Sequence, residues 1–267
     1  MSTLEPGHAP ASGAWAPSPG AAPLARQVLA QARMETRLLL RNGEQVVLAV
    51  VIPVVVLLGG VLGAERIGLR FAEPAVDVVT PGVLALAVVS TSFTSLAIAT
   101  GFERRYGVLK RLGASPLPRG GLLAGKVLSL LLVELLQVAV IGAVALALGW
   151  SPQTAPAALL GALLALVAGT GAFAGLGLLL AGSLRAEATL AAANLVYLLL
   201  LAGGAVVLPL SAYGGLGTVL QWLPSAALGD AVRTALIHAA VGWTDLAVLV
   251  VWAALGAVLT ARTFRWE

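Results

Sequence analysis

Six long apolar stretches divide this 267-residue chain. A run of about 20 apolar residues is what a helix needs to cross the hydrocarbon core of a bilayer. The stretches are Gln45–Ala64, Val79–Gly101, Val127–Trp150, Ala158–Gly182, Ala188–Leu210 and Leu246–Thr260. The expected fold class is therefore all-α: a polytopic membrane protein with six transmembrane helices. Six crossings return both termini to one side, and the basic residues say which. Arg26, Arg33, Arg37 and Arg41 precede the first stretch, and Arg104, Arg105, Lys110, Arg111, Arg119 and Lys126 fill the second gap. Arg185 lies in the fourth gap, and Arg262 and Arg265 in the tail. That is thirteen of sixteen basic residues, against only Arg66, Arg70 and Arg233 elsewhere. By the positive-inside bias, both termini are expected in the cytoplasm of a multi-pass protein of the cell inner (plasma) membrane.

Composition narrows the function classes. Apolar residues make up 59% of the chain and charged residues 10%, far from the balance of a soluble domain. The net charge of +4 sits at the ends of the spans, where anionic headgroups attract it, so membrane lipid is the expected partner and nucleic acid is not. The absence of Cys excludes disulfides and thiolate metal sites, and His8 and His238 stand in unrelated contexts, so no metal centre is expected.

Residues 1–22, rich in Ala, Pro, Gly and Ser, are expected to form a disordered cytoplasmic tail, with a membrane domain over 23–267. Between residues 24 and 42 the pattern is helical. At 100° per residue Arg26, Arg33, Arg37 and Arg41 fall within about 80° of one another, with Leu24, Val28, Ala32 and Leu39 opposite. This predicts an amphipathic helix in the cytoplasmic interface, although Glu35 falls on its apolar side. Two readings stay open for it: a topology anchor, or a lever touching a cytoplasmic partner.

The second gap, residues 102–126, is the most informative polar segment. Glu103–Leu112 suits a short helix ended by Gly113, with Pro116 and Pro118 holding an extended return. Gly120-x-x-x-x-Gly125-Lys126 has the spacing of a phosphate loop, but Val127 stands where Ser or Thr must hold magnesium. The segment also follows a Pro turn and runs into a span, so Lys126 is expected to snorkel to the headgroups and no ATP site is expected.

Glu103-Arg-Arg-x-Gly107-x-Leu109-Lys-x-Leu112, followed by Ser115-Pro116-x-x-Arg119 and Leu122-x-x-Gly125-Lys126, resembles the loop between the second and third spans of ABC-2 type permeases. These are the membrane subunits of ABC exporters, including the daunorubicin-type multidrug efflux branch. Leu223-Pro224-Ser225 and Leu228-Gly-Asp230-Ala-Val-Arg233 are similar to the family's segment before the last span. The likeness covers roughly residues 24–265; Val108 stands where many relatives carry Thr.

The resemblance implies a mechanism. The loop docks on a separate ATP-binding subunit, and closure of two such subunits tilts two permease copies between inward- and outward-facing states. Glu103, Arg104, Arg105, Gly107, Leu109 and Arg111 would then form the ATPase-coupling surface, with Glu103 pairing with a basic residue of the ATPase and the apolar residues filling its groove. It further implies a homodimer, no catalysis in this chain, ATP and Mg on the partner ATPase, and export; relatives carry drugs, lipids, polysaccharide precursors and peptides, and the mostly apolar spans lean towards an amphipathic drug-like molecule or a lipid.

Within the spans, Ser90-Thr-Ser-Phe-Thr-Ser95 carries five hydroxyls, and Thr91 and Ser95 lie one turn apart. Such hydroxyls either glue helices together or face a substrate path. Glu134 is the one acidic residue well inside a stretch, with Gln137 a turn away; an intramembrane carboxylate is costly and by default functional. Asn194 and Tyr197 are further candidates for the path. Gly59-x-x-x-Gly63 and Gly171-x-x-x-Gly175 read as close helix packing. Residues 211–242 are expected as a re-entrant extracellular segment of short helices capping the exit, broken by Pro209 and Pro224. The rival reading is a secondary proton- or ion-coupled transporter centred on Glu134. An intramembrane enzyme would need paired acids or a Ser–His set, which the stretches lack.

Overall fold

The computed structural model describes residues 22–41, 43–66 and 71–264. The expected tail up to residue 21, Arg70 and Arg265 lie outside them. Every regular element among the described residues is helical. Among the described residues five helices are long and apolar enough to cross a membrane: Ala75–Arg105, Gly120–Ala147, Pro156–Ser183, Ala186–Gly203 and Trp243–Thr263. The first expected span falls in the helix Gly43–Arg66, but its apolar described part, Ala49–Ala64, is shorter than the other five.

In chain order, α1 (Leu24–Arg41) is followed by α2 (Gly43–Arg66), then α3 (Ala75–Val88). From there the chain continues through a π-helical turn, Val89–Ser95, into α4 (Leu96–Arg105) and α5 (Val108–Leu112). Next come α6 (Arg119–Ala147), α7 (Pro156–Ser183) and α8 (Ala186–Gly203), and a 3₁₀ turn Leu210–Leu216 with α9 (Gly217–Leu220). The chain closes with α10 (Pro224–His238) and α11 (Trp243–Thr263).

Three expected boundaries move, each for a local reason. A helix over Glu103–Leu112 does not form as one piece, because the second span runs on to Arg105 and Gly107 adopts φ 71°, ψ 16°, the left-handed region that ends a helix and favours glycine. The following span begins at Arg119, not Val127, because Pro118 in extended conformation launches a helix that takes up the end of the presumed loop. The expected span Ala188–Leu210 stops at Gly203, where the carbonyls of Val206 and Val207 turn inward to a buried arginine.

The continuous helix through α3 and α4 is the most enclosed, and α7 is next. Phe93 and Phe173 meet edge-to-face with centroids 6.4 Å apart, among Leu57, Val79, Val83, Leu86, Leu228 and Leu249. Lipid tails are as apolar as these side chains, so close contact and hydrogen bonds select the arrangement more than burial does. Gly175 on α7 lies against Gly256 on α11; a Cβ at Gly175 would come within 3.1 Å of the Gly256 Cα. The Gly171–Gly175 stripe is therefore a packing surface inside the chain. Among the described residues a Cβ at Gly59 or Gly63 would meet nothing within 4 Å, so no close helix contact forms at that stripe there.

The segment 211–242 divides in two. Leu216, Val219 and Trp222 are exposed, as for a piece lying against a leaflet. The larger part is α10, which is buried over most of its length against α3, α7 and α11. Its small residues, Ala226, Ala227, Gly229 and Ala231, let it approach the neighbouring helices closely.

Candidate functional site

At the Arg-rich end the second span terminates in an elbow. Phe102 and Tyr106 stack with centroids 6.1 Å apart, and the Arg105 guanidinium lies 5.8 Å from the Tyr106 ring centre. Gly107 turns the chain and α5 folds back, burying Leu109 while Tyr106, Val108, Lys110 and Arg111 face outward. Arg104 donates from Nη1 to the Gly182 carbonyl at 2.7 Å and from Nη2 to the Leu184 carbonyl, so it satisfies acceptors that the end of α7 leaves open. Arg105 pairs with Glu187 on α8.

Beneath the elbow is a buried ion triad. Lys126 Nζ donates to Glu35 Oε1 at 2.9 Å and to Glu103 Oε1 at 2.8 Å, with its side chain only 4% exposed. Gln31 Nε2 donates to the same Glu35 oxygen at 2.8 Å. Lys126 therefore does not snorkel, and the segment Gly120–Lys126 is plain helix, not a phosphate-binding loop. Gly125 is what lets α1 come this close: a Cβ there would sit 2.9 Å from the Gln31 Cβ. The apparent flaw in the amphipathic pattern of α1, Glu35, is its attachment point to α6.

Deeper in the bundle the hydroxyls of the π-helical turn face the polar residues of α6. Ser92 Oγ donates to Glu134 Oε1 at 2.5 Å, and Thr170 Oγ1 on α7 donates to Glu134 Oε2 at 2.6 Å. Thr91 Oγ1 donates to Gln137 Oε1 at 3.0 Å, while Gln137 Nε2 donates to the Ala49 carbonyl of α2 at 2.8 Å. The widened turn of a π-helix brings consecutive hydroxyls, Thr91 and Ser92, to acceptors one turn apart on the facing helix. Glu134 is thus tied to two neighbouring helices by both oxygens.

The candidate path residues do not converge. Thr91 and Ser95 line a narrow crevice of about 50 Å³ with Gln137, Leu96 and Val133, and Glu134 is not on it. Tyr197 is buried against Ser90. Asn194 is exposed on the outer face of α8.

At the opposite end a second buried cation organises the chain. Arg233 on α10 donates from Nη1 to Asp230 Oδ1 at 2.8 Å and from Nη2 to the Val206 and Val207 carbonyls at 2.8 and 2.5 Å. Gly82 makes room for it, since a Cβ there would lie 2.6 Å from Arg233 Nη2. Burial raises the Asp230 carboxyl above its ordinary range, and the guanidinium opposes that rise. No group of three His, Asp or Glu side chains among the described residues could hold a metal ion.

The sequence model of the ABC-2 family transporter proteins matches residues 72–262, from the start of α3 to the end of α11. The chain belongs to this family. No curated protein matches it. An ABC-2 domain is a membrane component of an ABC transporter and not an ATPase, and family membership implies pairing with an ATP-binding ABC subunit in a cell membrane. Within this ABC-2 subunit, sequence reasoning missed the triad, the role of Thr170 and the carbonyl cage of Arg233. The signals were one acidic residue on an apolar helix face and one basic residue on the wrong side of the charge distribution.

Proposed function

We propose that this ABC-2 subunit is the membrane half of an ATP-driven exporter that carries an amphipathic small molecule or a lipid out of the cell. On this reading α2 completes six spans, both termini lie in the cytoplasm of a plasma-membrane protein, and ATP and Mg sit on the partner ATPase. The observation that carries it is the elbow: Tyr106, Val108, Lys110 and Arg111 face outward at the tip of an otherwise enclosed helix, on the Arg-rich side. Arg111 and the apolar pair offer contacts to the ATPase, while Glu103, Arg104 and Leu109 brace the elbow from inside and Arg105 and Gly107 set its angle. Force applied at α5 reaches α6 and α1 through Lys126.

Pairing of two copies is supported by Asn194, an amide exposed among the outward leucines Leu190, Leu195 and Leu198. A polar group is costly against lipid tails and is relieved where a second copy covers it. The hydroxyl-lined crevice at Thr91 and Ser95 supports a substrate path that is mostly apolar.

The test is co-purification of the ATP-binding subunit from native membranes with a Tyr106→Ala/Arg111→Glu variant. Both side chains are exposed, so the variant should melt like the wild type while losing most of the bound ATPase. Full retention of the ATPase by a well-folded variant would remove the elbow from the coupling role.

A further inference from the structure

The narrow crevice beside α1 follows α6 from Lys126 to Gln137, about 16 Å at the rise of an α-helix. Most of its wall is apolar, with Leu39 and Leu40 from α1, Leu96 from α4, and Val133 and Leu136 from α6. Glu35 and Lys126 are the charged residues on that wall, and they pair where α1 meets α6. Farther in stand Thr91, Ser95 and Gln137, of which Thr91 and Gln137 satisfy each other.

The charges at the Lys126 end do not balance. Two carboxylates, Glu35 and Glu103, share one ammonium, which leaves one negative charge in excess (2 − 1). Glu103 Oε2 is buried and has no hydrogen-bond partner among the described residues. Arg104, next in the chain, does not supply the missing charge, because it is turned to the Gly182 and Leu184 carbonyls. An enclosed carboxylate without a full counter-charge is costly, so this end of the crevice favours a further cation. A ligand with a positive head and an apolar body satisfies both parts of the crevice.

We propose that the crevice binds an amphipathic organic cation, its amine at the Glu35–Glu103 pair and its apolar body along Leu96, Val133 and Leu136. This rests on the exporter reading above, whose substrate it narrows to molecules with a positive head. The amine donates to carboxylate oxygens that Lys126 leaves open, and the narrowness of the crevice suits a slender body. Because Glu35 belongs to α1 and Glu103 to α4, the bound amine also ties α1 to the base of the elbow.

The experiment measures thermal unfolding of the full chain in a nonionic detergent at neutral pH, titrated with decylamine, decanol or decanoate. Decylamine, which is protonated there, should raise the melting temperature at concentrations where the other two do not. The chain carries a net charge of +4, so nonspecific attraction would favour decanoate instead. Glu35→Gln removes the excess charge but keeps an oxygen to accept from Lys126 and Gln31. It should require roughly tenfold more decylamine for the same rise, the loss expected for one charge-assisted hydrogen bond. Ala99→Leu, which fills the crevice away from the charges, should weaken the response as well. Equal responses to the amine and the alcohol, or a Glu35→Gln chain that titrates like the wild type, would overturn the proposal. A preference for decanoate would make Lys126 the recognition group and overturn it equally. The assay contains no ATPase, so this titration and the co-purification test of the exporter reading fail independently.

Discussion

Replacing Lys126 by Met keeps most of the side-chain volume and deletes the one cation between Glu35 and Glu103. Both carboxylates then remain largely enclosed, with side chains 13% and 21% exposed. Removing one partner of a buried ion pair costs about 3–5 kcal/mol, because the remaining charge is left uncompensated. Residual water at both glutamates brings this case below that range, to about 2–3 kcal/mol. For a chain of this size each kcal/mol moves the melting temperature by roughly 2–4 °C, so Lys126→Met should melt about 5–10 °C lower. The triple variant Lys126→Met/Glu35→Gln/Glu103→Gln carries no net charge at the site and should recover most of that loss. The assay is tryptophan fluorescence against temperature in detergent, with all three chains prepared identically. A single variant that melts within 2 °C of the wild type, on the order of measurement scatter for such shifts, would mean that Lys126 lies in the headgroups. A triple variant as unstable as the single one would show that lost packing, not charge, sets the cost.

Three further outcomes follow from the geometry. Gly82→Ala should destabilise the fold by about 2–3 kcal/mol, since the new methyl displaces the Arg233 guanidinium from the Val206 and Val207 carbonyls; a wild-type melting curve would contradict that contact. Glu134→Gln should keep ATP-dependent transport, because the amide oxygen still accepts a hydroxyl from Ser92 or Thr170; a stable chain with no transport would restore a protonation role for Glu134. Gly107→Ala should cost about 1–2 kcal/mol for the left-handed backbone and reduce ATPase co-purification more than it reduces stability, which a pull-down beside a melting curve separates.

The elbow was partly legible. Gly107 and the charges around it mark a surface segment in the sequence, and both are local properties of the chain. Which of those charges face outward was not legible, because Arg104 turns in to carbonyls of residues 182 and 184, roughly 80 positions away. The polar residues of the spans pose the same difficulty more sharply. Ser92, Glu134 and Thr170 stand out as polar in apolar runs, but their mutual contact joins three helices and leaves no periodic trace. In a soluble helix the buried face is the apolar one. The span α7 is apolar all round, so polarity does not reveal which side meets α11 and which meets lipid.

The sequence alone determined that the chain is helical and membrane-embedded, and which gaps carry the positive charge. Those properties follow from each segment's exchange with water, headgroups and hydrocarbon, and need no knowledge of its neighbours. Only the tertiary structure decided where the costly polar groups go. Lys126 between two glutamates, Arg233 in a cage of carbonyls and Glu134 under two hydroxyls are each satisfied by residues distant in sequence. A buried charge is stable only with its partners in place, and the packing of the helices brings those partners together.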